Sequence, residues 1–199
     1  MTASSPFRIP IPDELHGPRV IVRCYRPDDA QAFYEAADES RAHLAPFEPW
    51  INEYKSVDDA VAHVHRCWAR WIARQEFAAG VFDRTTGRFL GAAGIHGVDW
   101  ERRVFEIGYW VRASEQGKGY ITEAVQLLTR LAFRQFGAIR VQMRMDSRNL
   151  RSWRVPERLG FKLESILRNN TPAFRSPGDA RVYALIPADL PEVDWLRQE

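Results

Sequence analysis

Residues 104–136, VFEIGYWVRASEQGKGYITEAVQLLTRLAFRQF, constrain this chain more than any other stretch. They open as a strand, with Phe105, Ile107, Tyr109 and Val111 alternating with Val104, Glu106, Gly108 and Trp110. A polar turn follows at residues 113–116. Gly117-Lys118-Gly119 then leads into a helix whose apolar positions, Ile121, Ala124, Val125, Leu128, Leu131, Ala132 and Phe136, recur every three or four residues. Strand, glycine loop and helix start in that order make an anion site. The first helical turn has amides without intrahelical partners, and its dipole favours negative charge. Glycines let the backbone approach the ligand because they carry no side chain.

Two nucleotide-binding readings of this loop fail. A triphosphatase-type phosphate loop needs a glycine where Arg112 stands and Ser or Thr where Gly119 stands. A dinucleotide fingerprint needs a third glycine, but Thr122 occupies that place, and the next expected strand, at 138–145, has no acidic residue at its end.

The length of 199 residues suits one α/β domain, expected over residues 18–190, with an extended lead-in at 1–17 and a tail at 191–199. A hydrophobic fraction of 45% can supply its core. A net charge of +2 implies no bulk attraction to nucleic acid or membrane. There is no apolar run of ~20 residues and no signal-peptide pattern at residues 1–12, so a soluble, cytoplasmic protein is expected. Cys24 and Cys67 form no Cys-x-x-Cys and are expected as buried free thiols. The histidines show no metal-ligand spacing, so no metal is expected.

Alternation predicts strands at 19–25, 77–82, 89–96, 104–111, 138–145, 161–167 and 181–186. Helices are predicted at 27–40, from Ser56 onward, at 119–136, and from Asn149 to about Leu159. Val57, Val61, Val64, Trp68, Trp71 and Ile72 are expected to form the buried face of the second helix. Gly91, Gly94 and Gly97 weaken their strand and suggest a bulge or a close ligand approach. The loop at 43–50 carries two prolines and several aromatics; it either lines a cleft or caps the core. The pattern is α/β (α+β): a mixed, mostly antiparallel sheet of about seven strands with helices on both faces.

Gln116-Gly117-Lys118-Gly119-Tyr120-Ile121 resembles the acyl-CoA loop of the GNAT N-acetyltransferases, Gln/Arg-x-x-Gly-x-Gly/Ala. Gln116 and Gly119 match; Ile121 departs from the family's Gly or Ala. Glu106-Ile107-Gly108-Tyr109-Trp110-Val111 looks like the fourth-strand signature of the RimJ/RimL-like, ribosomal-protein branch. Asn149-x-x-Ser152 followed by Glu157-Arg158-Leu159-Gly160-Phe161, and then Asp179-x-x-x-Tyr183-x-Leu185, are similar to two more of its motifs. Together they cover about residues 19–187.

The resemblance implies a sheet splayed between its fourth and fifth strands and transfer of acetyl from acetyl-CoA, as co-substrate, to a primary amine. That amine would belong to a protein N-terminus, a small molecule or an aminoacyl conjugate. A homodimer is a family-level expectation. The backbone of Trp110, Val111 and Arg112 would face the pantetheine arm. The amides of Gly117, Lys118, Gly119, Tyr120, Ile121 and Thr122 would hold the pyrophosphate behind Gln116. The Lys118 side chain either adds a contact or is solvated. Asn149 would lie near the thiol end. Glu106 would take the amine's proton, directly or through water, and Ser152 would protonate the leaving thiolate, because Pro156 stands where many relatives carry a tyrosine. An alternative is a catalytically silent acyl-CoA sensor. A third reading takes Arg140, Arg144, Arg148, Arg151, Arg154 and Arg158 as a nucleic-acid patch; some of them would equally suit the CoA phosphates. The acceptor would be set by residues 44–50 and 169–179.

Overall fold

The structure is a computed structural model describing residues 5–171 and 177–197. Eight strands form one sheet: β1 (Glu14–His16), β2 (Val20–Cys24), β3 (Phe77–Asp83), β4 (Phe89–Asp99), β5 (Val104–Val111), β6 (Arg140–Asp146), β7 (Lys162–Thr171) and β8 (Gly178–Leu185). Their order is β1-β2-β3-β4-β5-β6-β8-β7. Every neighbouring pair is antiparallel except β5 and β6. The helices are α1 (Ala30–Leu44), α2 (Val57–Ile72), α3 (Tyr120–Arg134), α4 (Leu150–Arg158) and the short α5 (Asp194–Arg197). The expected mixed sheet is therefore present, with one more strand than the seven anticipated. β1 comes from the expected lead-in and is only three residues long, too short for an alternation to register.

The feature that builds the site is a fork. β5 and β6 pair only at Val104↔Arg140, Phe105↔Val141 and Glu106↔Gln142. Above that point β5 continues against β4 as far as Val111, and β6 continues against β8 as far as Asp146. Residues 107–111 thus keep a backbone edge with no strand partner on the β6 side. Helix α4 begins just beyond β6. The Tyr109 hydroxyl donates to the Ser152 carbonyl at 2.8 Å, tying the two open ends together. In β4 the register shifts between Val81↔Gly91 and Phe82↔Phe89, which makes Leu90 the extra residue of a bulge. Gly91 sits at φ 149°, and a Cβ there would stand 2.4 Å from the Trp110 carbonyl oxygen. The close approach anticipated at Gly91 is therefore that of strand β5, not of a ligand.

Each sheet face has its own core. Phe105, Ile107, Val141 and Met143 pack beneath Ile121, Leu128 and Phe136 of the α3 region. Leu196 of the expected tail also joins this core. On the other face Phe89 and Trp110 meet Phe33 of α1 and Val64 and Cys67 of α2. The buried side of α2 differs from expectation. Ala60, Val64 and Cys67 face the core, whereas Val61, Trp68 and Ile72 are exposed, the last two by 55% and 54%. The helix carries two apolar stripes, and the one with small side chains lets it lie close to the sheet. Both cysteines are free, as expected, although Cys24 is only half-buried; burial pushes Cys24 up to about 11 and Cys67 up to about 12.

One buried carboxylate locks the start of α3 to β2. Glu123 accepts from the Arg19 amide at 2.7 Å, the Val20 amide at 3.1 Å and Arg19 Nε at 2.9 Å. Glu123→Ala leaves those donors unpaired and is expected to cost about 2–4 kcal/mol, read from the urea midpoint. Glu123→Gln, which keeps one acceptor oxygen, should lose less.

Candidate active site

The wedge opened by the fork is a cleft of about 710 Å³. One wall is the end of β5 with the start of α3; the other is the start of α4. Gly119 is the N-cap of α3 at φ 83°, left-handed, with no side chain to bond the first-turn amides. Gly117 is left-handed too, at φ 75°. Such residues turn successive N–H groups into one concave surface that suits phosphate oxygens. The loop is held from outside: Arg19 Nη1 donates to the Lys118 carbonyl at 2.9 Å, and the Ser114 amide and Arg112 Nε donate to Glu39 at 2.9 and 2.5 Å. Burial alone would raise Glu39, but its bonds from Ser114 and Arg112 hold it down to about 2.

On the opposite wall Asn149 is the N-cap of α4, its Oδ1 accepting from the Ser152 amide at 3.2 Å. Arg151 bonds the Gln116 side chain across the cleft. Arg158 Nη1 donates to Thr122 Oγ1 at 3.3 Å. Arg148, Arg151, Arg154 and Arg158 all line this cleft. Arg140 and Arg144 do not; they bond Glu164 and Asn170. The six arginines therefore form no common patch: four line the cleft and two lie outside it.

Of the expected site residues, Trp110, Val111, Gln116, Gly117, Gly119, Tyr120, Ile121, Thr122, Asn149 and Ser152 line the cleft. Trp110 does so as a core residue, its ring packed against Phe33 and Phe89. Ile121 is buried in the core, so the family's small residue is replaced here by one that packs downward. Arg112, Lys118 and Glu106 stand outside. The Arg112 amide donates to the Leu90 carbonyl at 2.9 Å, because β5 is still paired with β4 there. Lys118 Nζ bonds Glu115 at 2.8 Å. Glu106 lies in the last pair below the fork, where Gln142 Nε2 donates to it at 2.9 Å.

A second cleft of about 420 Å³ lies on the α1/α2 side of the sheet. It is walled by Tyr25, Phe33, Trp50, Tyr54 and His63 and floored by β4 and β5. Glu76 sits within it, held down to about 2 first by its 2.6 Å bond to His96 and then by Arg70. Glu48, Tyr109 and Trp110 line both clefts and mark where they meet. Sequence reasoning did not single out Glu48, Tyr109 or His43 for the site. The proline and aromatic content of the loop at 43–50 was the available signal, and that loop does line the clefts.

Acyl-CoA fits the first cleft on three grounds. An unpaired strand edge is offered to an extended, amide-bearing arm. A left-handed glycine N-cap opens onto the cleft, and four arginines line it, Arg148 with its guanidinium bonded to Asp146. His43 Nε2, on a residue lining the cleft, is buried with no hydrogen-bond partner among the described residues. The model of the acetyltransferase (GNAT) domain matches residues 19–162. This chain belongs to the GNAT acetyltransferases. This GNAT protein is an acetyl-CoA-dependent N-acetyltransferase. The probable N-acetyltransferase YjcK of Bacillus subtilis (strain 168) is 27% identical, over 88% of this chain and 98% of its own. The ribosomal-protein-serine acetyltransferase of Escherichia coli (strain K12) is 32% identical over 49% of this chain and 54% of its own. The fold matches RimL, the ribosomal L7/L12 α-N-protein acetyltransferase solved with coenzyme A, at TM-score 0.81 and 20% identity, over 87% of this chain and 97% of that one. Mycobacterium smegmatis RimJ, solved with a CoA disulfide, also scores 0.81 at 23% identity, over 89% of this chain and 87% of that one. No helix among the described residues of this GNAT protein is long and apolar enough to cross a membrane.

Proposed function

We propose that this GNAT enzyme moves the acetyl group of acetyl-CoA directly to a primary amine, with the N-terminal amine of a protein or peptide as the leading acceptor. The observation that carries this reading is the meeting of the two clefts at the end of β5, lined in common by Glu48, Tyr109 and Trp110. Two substrates can thus approach one point from opposite sides, as direct transfer requires. An acetyl-enzyme route lacks support: neither cysteine lines either cleft, and burial raises both thiols.

In this reading the amides of residues 117–122 hold the pyrophosphate, and Arg154 and Arg158 add charge around it. The free edge of β5 at Tyr109 and Val111 bonds the pantetheine arm, the expected Trp110 backbone being turned to Ala92 of β4 instead, and Asn149 orients its thiol end. Ser152 is the proposed proton donor to the departing sulfur. Its neighbour Tyr109 fixes the Ser152 backbone rather than reaching for the sulfur itself. Glu106, one pair below the opening, would reach the amine only through water. The acceptor class is drawn from relatives whose names specify ribosomal-protein serine and L7/L12 α-amines.

Peptides beginning with Ser, Ala or Met, incubated with acetyl-CoA and read by mass spectrometry, test the acceptor. One acetyl group on the α-amine is expected, and none on peptides whose N-terminus is already blocked. Modification of lysine side chains with free N-termini untouched would overturn the assignment.

A further inference from the structure

We infer that Glu48 is the residue that takes the proton from the acceptor amine, an inference resting on the direct-transfer reading above. Carboxylates are few where the clefts meet. The first cleft is lined by Glu48 and Glu115, the second by Glu48 and Glu76. Glu115 is held by Lys118 at 2.8 Å and Arg88 at 3.2 Å. Glu76 is held by His96 at 2.6 Å and Arg70 at 2.7 Å. Both are committed to cations. Glu48 makes no salt bridge among the described residues. Its Oε2 accepts from Trp50 Nε1 at 2.6 Å, and its Oε1 has no hydrogen-bond partner among them.

The carboxylate is also held in place. Pro49 follows it and opens a 3₁₀ turn over Pro49–Glu53. The Trp50 ring that bonds it packs against Trp110 at 6.2 Å and Tyr54 at 5.8 Å. Arg41 clamps the same loop through the Ile51 and Tyr54 carbonyls at 2.7 and 2.6 Å. A clamped loop therefore holds Glu48 where it lines both clefts, with one carboxylate oxygen unpaired among the described residues. Burial pushes the Glu48 carboxyl above its ordinary range, against smaller opposing effects of the Trp50 bond and of His96. A raised carboxyl is a stronger base than a salt-bridged one. Across the second cleft Glu48 faces His96, Glu76, Arg66 and Arg70, with the Tyr54 phenol and His63 beside them. From the first it faces His43, Tyr109 and Glu115, with the α4 arginines on the far wall.

The chemistry balances without another reactant. The acceptor arrives as an ammonium ion and gives one proton to Glu48. Its freed electron pair forms the C–N bond to the thioester carbonyl, and the C–S bond then breaks. One of the two protons left on nitrogen passes to the sulfur, directly or through the Ser152 hydroxyl, and yields the CoA thiol; the other stays as the amide N–H. Glu48 returns its own proton to water.

Glu48→Gln tests this, because glutamine keeps an oxygen for the Trp50 bond. With the best peptide acceptor and saturating acetyl-CoA, kcat/KM for the peptide is followed from about pH 6 to 10. At pH 7 the variant should lose about 100-fold, the low end of what a positioned base supplies. The deficit should shrink as pH passes the α-amine's own pKa of about 8, since free amine then forms in solution. KM for acetyl-CoA should stay unchanged. A deficit that is constant with pH, or no deficit, would overturn the inference by leaving Glu48 a structural role or none. A pH-dependent loss in His96→Asn or Glu106→Gln, with Glu48→Gln unaffected, would overturn it in favour of that residue. Wild type inert towards every amine tried would instead sink direct transfer itself.

Discussion

Gly119→Val is expected to raise the Kd for acetyl-CoA at least ~30-fold, measured by calorimetry, while the protein stays folded. Gly119 adopts φ 83° as the N-cap of α3. A β-branched residue in that region is strained by about 1–3 kcal/mol, so the loop must swing to relieve it. Swinging turns the first-turn amides away from the phosphates. A hydrogen bond to a charged group is worth about 1.5–3 kcal/mol, so losing one or two gives the predicted weakening. A Cβ at Gly119 would also stand 3.3 Å from Nη2 of Arg19, whose Nη1 braces the loop through the Lys118 carbonyl. Gly137→Val is the matched control: that glycine follows the opposite end of α3, with φ 65° and open space around it. It should lose stability without losing acetyl-CoA.

Acidification from about pH 6.5 to 4 is expected to remove about 3 kcal/mol of folding stability through His63 alone. Burial pushes this imidazole down to about 4, and the nearby Arg66 adds to the effect. The ring stacks on Phe33 at 4.6 Å, and its Nδ1 shares a hydrogen bond with the Tyr54 hydroxyl at 2.8 Å. Between the two pKa values the unfolded chain binds a proton that the native state refuses, so unfolding gains as pH falls. Above about 6.5 both states are neutral there and the contribution is absent. His43, also lowered by burial, acts in the same direction. Glu39 and Glu76, each held near 2, belong to a lower window: their stabilisation persists above the unfolded carboxyl value of about 4.3 and is lost below it. Urea titrations across pH should show two separate declines. His63→Gln should flatten the upper one and leave the lower; an unchanged slope between pH 6.5 and 4 would refute the assignment.

The regions of the fold legible in the sequence are those with a strong period. Residues 104–136 declared a strand, a glycine turn and an amphipathic helix, and β5, the loop and α3 lie there. Because phosphate binding by a helix start depends on backbone, the glycines at 117 and 119 pointed to a candidate anion site without any side-chain reasoning, and both are left-handed ahead of α3. What periodicity could not supply was depth. It put Glu106 on the correct strand but could not say that β5 and β6 separate at the next residue, leaving that carboxylate below the opening. Nor could it choose between the two apolar stripes of α2, since spacing alone does not favour Cys67 over Trp68. Glu48 was hidden for another reason: it sits in a proline-bounded loop with no period, and its place at the junction follows from how the loop is clamped. Residues 172–176, within the stretch expected to set the acceptor, lie outside the described residues.

Acceptor-dependent release of CoA thiol from acetyl-CoA by the purified protein, with Ser-, Ala- and Met-starting peptides and small primary amines, is the most direct measurement. Direct transfer predicts thiol release only when a free amine is present, rising with its concentration, with the acetyl group recovered on that amine. Thiol release at the same rate without acceptor, or acetyl retained on the protein, would contradict it.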